Sequence, residues 1–367
     1  MMYDLFCISF SEPSTDARTM NFIRTAVKLG YKTGWLALRE KEDVRIDGVD
    51  LFEVKQSHAK RMIVRWLAFI IRAGSVIKGL QTERILASDL YSLPVAGKFE
   101  NKKFIYDSRE VYSGLGTLAG HPLKQKIISA IEKHYVKFID LIYTSGSRDT
   151  EHLKKHLTND VIYHEIFNLP PYKEPVKSNS LREKFNIPEN KKILLYQGAV
   201  LPHRGIIPVI RAIKESDDYV LCIIGDGPFM DELKGFIIEN DVASKVFFTG
   251  KIAYNELHKW TCSADAGLAL FEPVSLSYKY SFPNKLFEYI MAEIPVLATD
   301  LPAMRDVFEN MCFGELVSGD MNTDEILDKL TNIFRNEEKI LKTIKHDSGK
   351  YSYESQTNEI EKILKIK

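Results

Sequence analysis

From end to end, the chain alternates short runs of apolar and β-branched residues with longer stretches in which apolar positions recur every three or four residues. YDLFCISF opens it, a helical pattern over roughly 15–29 follows, and TGWLAL comes next. ILASD, FIYD ending at Asp107 and LIYTS ending at Ser145 continue the rhythm until the half closes at VIYHEIFNLPPY. Continuous apolar runs of this length, separated by helical spacing, predict a parallel sheet covered by helices on both faces. Between 170 and 190 four prolines, polar residues and mixed charge interrupt the pattern. KKILLYQG, YVLCIIGDG, KVFFTG, AGLALF and IPVLATD then supply five strands of a second such sheet. From about Thr323 the chain is helical and charged, with Ile326, Leu327, Leu330 and Ile333 spaced for one buried face.

The predicted fold class is α/β, with two facing doubly wound, Rossmann-like domains. The first spans 1–170, a linker spans 171–190, the second domain spans 191–345, and 346–367 form a C-terminal helix packing back on the first. Two such sheets facing each other leave an interdomain cleft at the carboxyl ends of their strands, the expected place for a ligand. There is no fixed short period, which excludes solenoids and propellers.

Composition narrows the picture. A length of 367 residues suits two cores, and 50 basic against 50 acidic side chains argue against a nucleic-acid partner. Cys7, Cys222, Cys262 and Cys312 are too far apart for a zinc knuckle or a redox dithiol and read as reduced thiols. The N-terminus MMYDLFCISF lacks a basic region before its short apolar run and reads as a strand. No stretch approaches a membrane span, so the expected location is cytoplasmic, at most against the inner face of the cytoplasmic membrane. One segment has two readings. Residues 57–80, SHAKRMIVRWLAFIIRAGSVIKGL, carry Lys60, Arg61, Arg65, Arg72 and Lys78 among a Trp and many aliphatics. They form either a basic amphipathic surface for anionic lipid or a sheet-covering helix with solvated basic residues.

The chemistry-bearing residues concentrate in two segments. YQGAVLPHRGIIPVIRAI sets a turn at Gly198 and a loop with Arg204 and Gly205 between a strand and a helix, placing amides, a helix N-terminus and a guanidinium around one spot. The bland alternative is a βα turn with a solvated arginine. In YKYSFPNKLFEYIMAEIPVLATD, Ser281 is the candidate N-cap, Pro283 falls in the first turn, and Lys285 and Glu288 stand three apart on one helix face. A cation there suits a phosphate and a carboxylate one turn on suits two vicinal ribose hydroxyls; the alternative is a surface ion pair. Two cations and a helix N-terminus suit a diphosphate leaving group. No two aspartates stand two apart, so an Asp-x-Asp metal clamp is missing and neither a metal nor a cofactor is expected.

With these motifs, and with IIGDGPFMDEL, VFFTGKIAYNEL and SADAGLAL, the second half resembles the donor-binding domain of family 4 glycosyltransferases. EPSTDARTMNFIRTAVKLGY, ASDLYSLPVA and YDSREVYSGLG extend the resemblance over essentially the whole chain. It implies the GT-B fold and metal-independent transfer of a sugar, with retention, from a nucleotide-sugar co-substrate to a glycan or glycolipid. The setting it implies is cell-surface polysaccharide or lipopolysaccharide assembly. Carried over, Arg204 and Lys285 bind the diphosphate and Glu288 the ribose. Gly198, Gly225, Asp226, Gly227 and Lys251 line the nucleotide side, and Tyr280, Ser281, Phe282, Pro283 and Asn284 complete the donor element. Ser14, Asp16, Arg18, Asp89 and Arg109 fall on the acceptor side, with Ser14 or Thr15 as candidate caps of the first helix. Arg109 stands where many relatives have a histidine; a guanidinium is no base at neutral pH, so its expected catalytic part, beside Arg204 and Lys285, is charge stabilisation.

The sequence also departs from the family. Tyr280, eight residues before Glu288, takes the place of the first carboxylate of the family's paired glutamates, and Glu272 is sixteen residues before. Ala199 follows Gly198 where an arginine is common. These departures keep open a catalytically silent partner of another transferase; a nucleotide-sugar epimerase is the other alternative, though the acid/base side chains it needs are not evident. A dinucleotide-dependent oxidoreductase would need a glycine fingerprint after its first strand, and CISFSEPSTDAR has none.

Overall fold

The computed structural model describes residues 2–40, 44–99, 102–115, 118, 120–158, 160–280 and 282–366. It divides into two units, 1–167 with 356–367, and 168–355. The first holds a parallel sheet of β1 (Met2–Ile8), β2 (Thr33–Leu38), β3 (Val49–Val54), β4 (Gln81–Ala87), β5 (Lys103–Ser108), β6 (Leu141–Thr144) and β7 (Ile162–Glu165), in the order β3-β2-β1-β4-β5-β6-β7. The second holds β8 (Lys192–Gln197), β9 (Tyr219–Ile224), β10 (Val246–Gly250), β11 (Ala266–Ala269), β12 (Val296–Thr299) and β13 (Gly314–Val317), in the order β10-β9-β8-β11-β12-β13.

The central strands are the continuous apolar runs of the sequence: every residue of β2 and of β9 is buried, as a sheet covered on both faces requires. The edge strands β3 and β13, which sequence patterning passes over, are mostly half-buried. They have one neighbour each and no reason to be apolar throughout. Helix Thr323–Arg335 buries Ile326, Leu330 and Ile333, and packs on helix Ile206–Lys214 and on β13; Leu327 sits at the margin of that core. Helix Thr357–Leu364 packs on helix Ala17–Lys28 and β7.

In each sheet the strand order reverses once, between β1 and β4 and between β8 and β11. Loops leaving neighbouring strands at such a point run to opposite sides and open a crevice at the carboxyl edge. In the second unit this edge is fixed by one side chain. Tyr289, on helix Asn284–Met291, accepts the Gln197 N–H at 3.1 Å through its hydroxyl and donates to the Leu195 carbonyl at 3.0 Å. Its ring lies over Gly267 of β11 so closely that a Cβ there would fall 2.3 Å from ring carbons. The helix can seat itself only because β11 lacks a side chain at that position.

Gly267→Ala should therefore destabilise the chain at the upper end of the ~1–3 kcal/mol typical of overpacking, since Tyr289 is tethered and cannot swing away. Urea unfolding measures this; a loss below about 0.5 kcal/mol would show that helix and strand part freely.

Candidate functional site

The loop after β8 is held backbone to backbone against the loop after β9. The Gly198 N–H donates to the Ile224 carbonyl at 2.9 Å and the Val200 N–H to the Asp226 carbonyl at 3.1 Å. Gly198 and Gly225 have φ of 118° and 138°, and a Cβ at Gly225 would fall 2.0 Å from the Gly198 carbonyl oxygen. A Cβ at Gly227 would meet the Val200 carbonyl oxygen at 2.2 Å. The glycines of the GDGP segment thus allow two loops to touch. Asp226 is exposed and turns its carboxylate onto the Gly227 N–H at 2.8 Å.

Arg204 lies between His203 and Gly205, both at positive φ, just before helix Ile206–Lys214. Its guanidinium carbon is 4.5 Å from the centroid of the Phe271 ring and 4.7 Å from that of Tyr278, and its buried Nε has no hydrogen-bond acceptor among the described residues. Lys285 is 8% exposed; its Nζ is also without a hydrogen-bond partner among the described residues and lies 3.6 Å from the centroid of the Tyr196 ring. Burial, and then the neighbouring Arg204, push the Lys285 ammonium well below the ordinary lysine value, against the pull of Glu288. Two cations here share aromatic faces in place of carboxylates. Cation–π attraction offsets only part of the cost of burying them, so the pair is matched to an anion with several acceptor oxygens.

Glu288 follows Lys285 at the i+3 position. Its carboxylate accepts from the Gln197 side-chain amide, whose oxygen accepts from the Thr261 hydroxyl at 2.8 Å. Burial raises the Glu288 carboxyl, while the Gln197 hydrogen bond and Lys285 oppose the rise. Gln197 and Thr261 were not anticipated. The sequence signal for Gln197 was a polar residue closing an otherwise apolar strand; Thr261 is 64 residues from its partner and gave none.

The remaining donor-side candidates are dispersed. Lys251 is exposed beyond β10, and Tyr280, ending helix Leu276–Tyr280, is half-buried. Phe282 is buried 6.3 Å from the Phe287 ring. Pro283 is the N-cap of its helix and not a first-turn residue, and Ser281, the expected cap, lies outside the described residues. Asn284 accepts a hydrogen bond from Asn168 at 2.7 Å. Glu272 faces His203, its carboxylate 2.6 Å from Nδ1 and its N–H donating to the His203 carbonyl, so it braces the Arg204 loop.

In the first unit the acceptor-side candidates gather at the other strand-order reversal, with a different balance of charge. Arg18 is buried and spends its guanidinium on Asp107, by bonds of 2.9–3.0 Å, and on the carbonyls of Ile166 and Thr144. Arg109 pairs both terminal nitrogens with Asp16, at 2.9 and 3.0 Å, and sets Nε 3.3 Å from Asp107. Asp16, not Ser14 or Thr15, caps helix Ala17–Lys28 through the Thr19 N–H, while Ser14 is exposed and donates its N–H to Glu40. Asp89 accepts the N–H groups of Phe10 and Ser92. The charges of Arg18 and Arg109 are thus matched by aspartates, and the network braces the loops at this edge of the sheet. Asp107, the hub of this network, is not marked by any local pattern, because its partner Arg18 is 89 residues away.

Arg18→Met should cost about 3–5 kcal/mol, because it leaves the wholly buried Asp107 with Arg109 as its one ion-pair partner among the described residues, whereas Arg18→Met with Asp107→Leu should recover much of the loss. Equal urea midpoints for wild type and the single variant would reduce the network to the worth of a surface pair. Burial would raise the Asp16 carboxyl, yet Arg109, Ser11 and the Thr19 N–H together hold it below the ordinary aspartate value. Its contribution to stability is therefore complete above the unfolded pKa of about 3.9 and lost as pH falls through the lower folded value.

Residues 177–349 match the family model described as glycosyl transferases group 1. Among curated proteins, the chain is 27% identical over 144 residues to the alpha-monoglucosyldiacylglycerol synthase of Streptococcus pneumoniae. It is 25% identical over 131 residues to the putative teichuronic acid biosynthesis glycosyltransferase TuaC of Bacillus subtilis. The matches cover 38% and 35% of this chain, and 31% and 30% of those relatives' lengths. Among solved structures, sucrose-phosphate synthase from Thermosynechococcus elongatus superposes with a TM-score of 0.80 at 13% identity, over 98% of this chain and 97% of that one. Anabaena HepE in complex with UDP-glucose gives 0.77 at 11% identity, over 99% of both chains. Residues 177–349 thus resemble the glycosyl transferases group 1 family, and the chain has the GT-B fold.

Proposed function

We propose that the chain is a glycosyltransferase that moves a sugar from a nucleoside-diphosphate sugar to a glycan or glycolipid acceptor. In this reading it acts in cell-surface polysaccharide or lipopolysaccharide assembly, with retention and without a metal, as in family 4. The observation that carries the reading is the buried Lys285 ammonium beside Arg204, neither of them hydrogen-bonded to a carboxylate among the described residues, at the carboxyl edge of a doubly wound sheet. Diphosphate oxygens take the Lys285 Nζ and the Arg204 guanidinium, whose charges are already in place when negative charge develops on the leaving group. Glu288, oriented by Gln197, accepts the ribose hydroxyls. The bond from the anomeric carbon to the diphosphate breaks, the acceptor oxygen forms its bond on the same face, and the acceptor proton passes to the departing diphosphate. No protein base is needed in this scheme.

A screen of UDP-, GDP-, ADP- and TDP-sugars with EDTA present, read by thermal shift and nucleotide release, tests the proposal. One donor should stabilise the fold and turn over when acceptor is supplied, and binding of none would sink the reading. Tyr280 in place of the first family carboxylate favours a second reading, a silent donor-binding partner, which binding without turnover across acceptors would support. Arg204→Ala and Glu288→Gln should each weaken donor binding by about 1.5–3 kcal/mol, as expected for hydrogen bonds to charged groups. Unchanged affinity in both would place the donor elsewhere.

Lys285 gives a test of its own. Its pKa is depressed in the free protein and rises when an anion sits on it, so binding takes up a proton in the window between the two values. Affinity for the nucleoside diphosphate should increase as pH falls through that window, and calorimetric enthalpies should vary with the ionisation enthalpy of the buffer. Lys285→Met should abolish the buffer dependence; its persistence in that variant would exclude Lys285 as the group responsible.

A further inference from the structure

Helix Met62–Val76 in the first unit carries more apolar surface than the core uses. Of its fifteen residues only Phe69 and Ala73 are buried. Ile63, Leu67 and Ile71, at i, i+4 and i+8, form a stripe that is 52%, 50% and 72% exposed. Further around the helix, at 100° per residue, come Arg65 and Arg72 of the helix and Arg61 at its N-cap. The helix is thus divided lengthwise into a core face, a bare aliphatic stripe and a basic flank. Helix Pro122–Val136 lies beside it: Trp66 and Ile70 of the first helix face Ile127 and Ile131 of the second across Pro94. The second helix and the residue after its cap leave Leu123, Ile127 and Phe138 exposed by 71%, 52% and 55%.

The charge on these two segments is one-sided. Residues 57–80 and 121–138 contain nine lysines and arginines and a single acid, Glu132, in a chain whose totals are 50 and 50. Glu132 is buried and takes a hydrogen bond from the Tyr106 hydroxyl at 2.8 Å, so its carboxyl does not face the exposed surface, and burial pushes it up to about 7. We propose that this two-helix face is a docking surface for an anionic lipid bilayer, with the aliphatic stripe entering the acyl boundary and the arginines and lysines meeting lipid phosphates. Bare isoleucine and leucine interleaved with cations match a medium that is apolar below and anionic above, and no single soluble ligand class supplies both. The proposal does not depend on the donor site.

The full chain is sedimented with phosphatidylcholine vesicles and with vesicles in which part of the phosphatidylcholine is replaced by phosphatidylglycerol. Binding should require phosphatidylglycerol and weaken with added salt. Removing three cations in Arg61→Gln/Arg65→Gln/Arg72→Gln should lower partitioning by at least about tenfold, as basic residues near an anionic surface each contribute substantially. Ile63→Ser/Leu67→Ser/Ile71→Ser, at exposed positions, should lower it comparably while leaving the melting temperature and the nucleotide-sugar thermal shift unchanged. An Ile71→Trp variant should be quenched by brominated acyl chains. Equal binding to neutral vesicles, wild-type binding by both triple variants, or equal binding to soluble polyglutamate, which would assign the face to an acidic protein, would each overturn the proposal.

Discussion

The hydroxyl of Tyr289 is hydrogen-bonded into the backbone of β8, and its ring is pressed on the bare backbone of β11. Those are the two strands between which the second sheet reverses its order. One side chain therefore fixes where helix Asn284–Met291 begins relative to the crevice, and with it the positions of Lys285 and Glu288. The same Gln197 that donates its N–H to Tyr289 offers its side-chain amide to Glu288. Backbone register and site geometry are thus set by a common residue, an economy open to a buried polar group only when all its hydrogen bonds are satisfied.

The two strand-order reversals carry opposite electrostatics. At the first, Arg18 and Arg109 are answered by Asp107 and Asp16. At the second, Arg204 and Lys285 rest on Tyr196, Phe271 and Tyr278. Buried ion pairs commonly add little to stability, but they are costly to break and hold loops in register. Cations on aromatic faces keep their hydrogen-bonding capacity for a ligand. A guanidinium in a crevice therefore says little about function until its carboxylates have been found.

This contrast marks what the sequence could and could not reveal. The βα rhythm was legible because central parallel strands must be apolar throughout; β3 and β13 were not, because edge strands are released from that requirement. Arg204, Lys285 and Glu288 were legible because their spacing relative to a strand end and a helix start is local. Asp107 answering Arg18 from 89 residues away, and Thr261 answering Gln197 from 64, were not, since no local pattern encodes a long-range partner. Arg18 and Arg109 likewise meet their counter-ions Asp107 and Asp16 across 89 and 93 residues, so no local pattern shows that their charges are already matched.

Overall neutrality concealed a similar sorting. Equal totals of acid and base suggested an indifferent surface, yet two segments of the first unit, 57–80 and 121–138, hold nine cations and one buried acid, with exposed aliphatics between the cations. Such a sum is uninformative because charges interact appreciably only within about 10 Å at moderate ionic strength. The fold sets the local balance by choosing which residues share a face. In the second unit it gathers two cations around a point, which suits a compact anion. In the first it spreads them along helices beside uncovered apolar side chains, which suits an extended surface that is anionic and greasy at once.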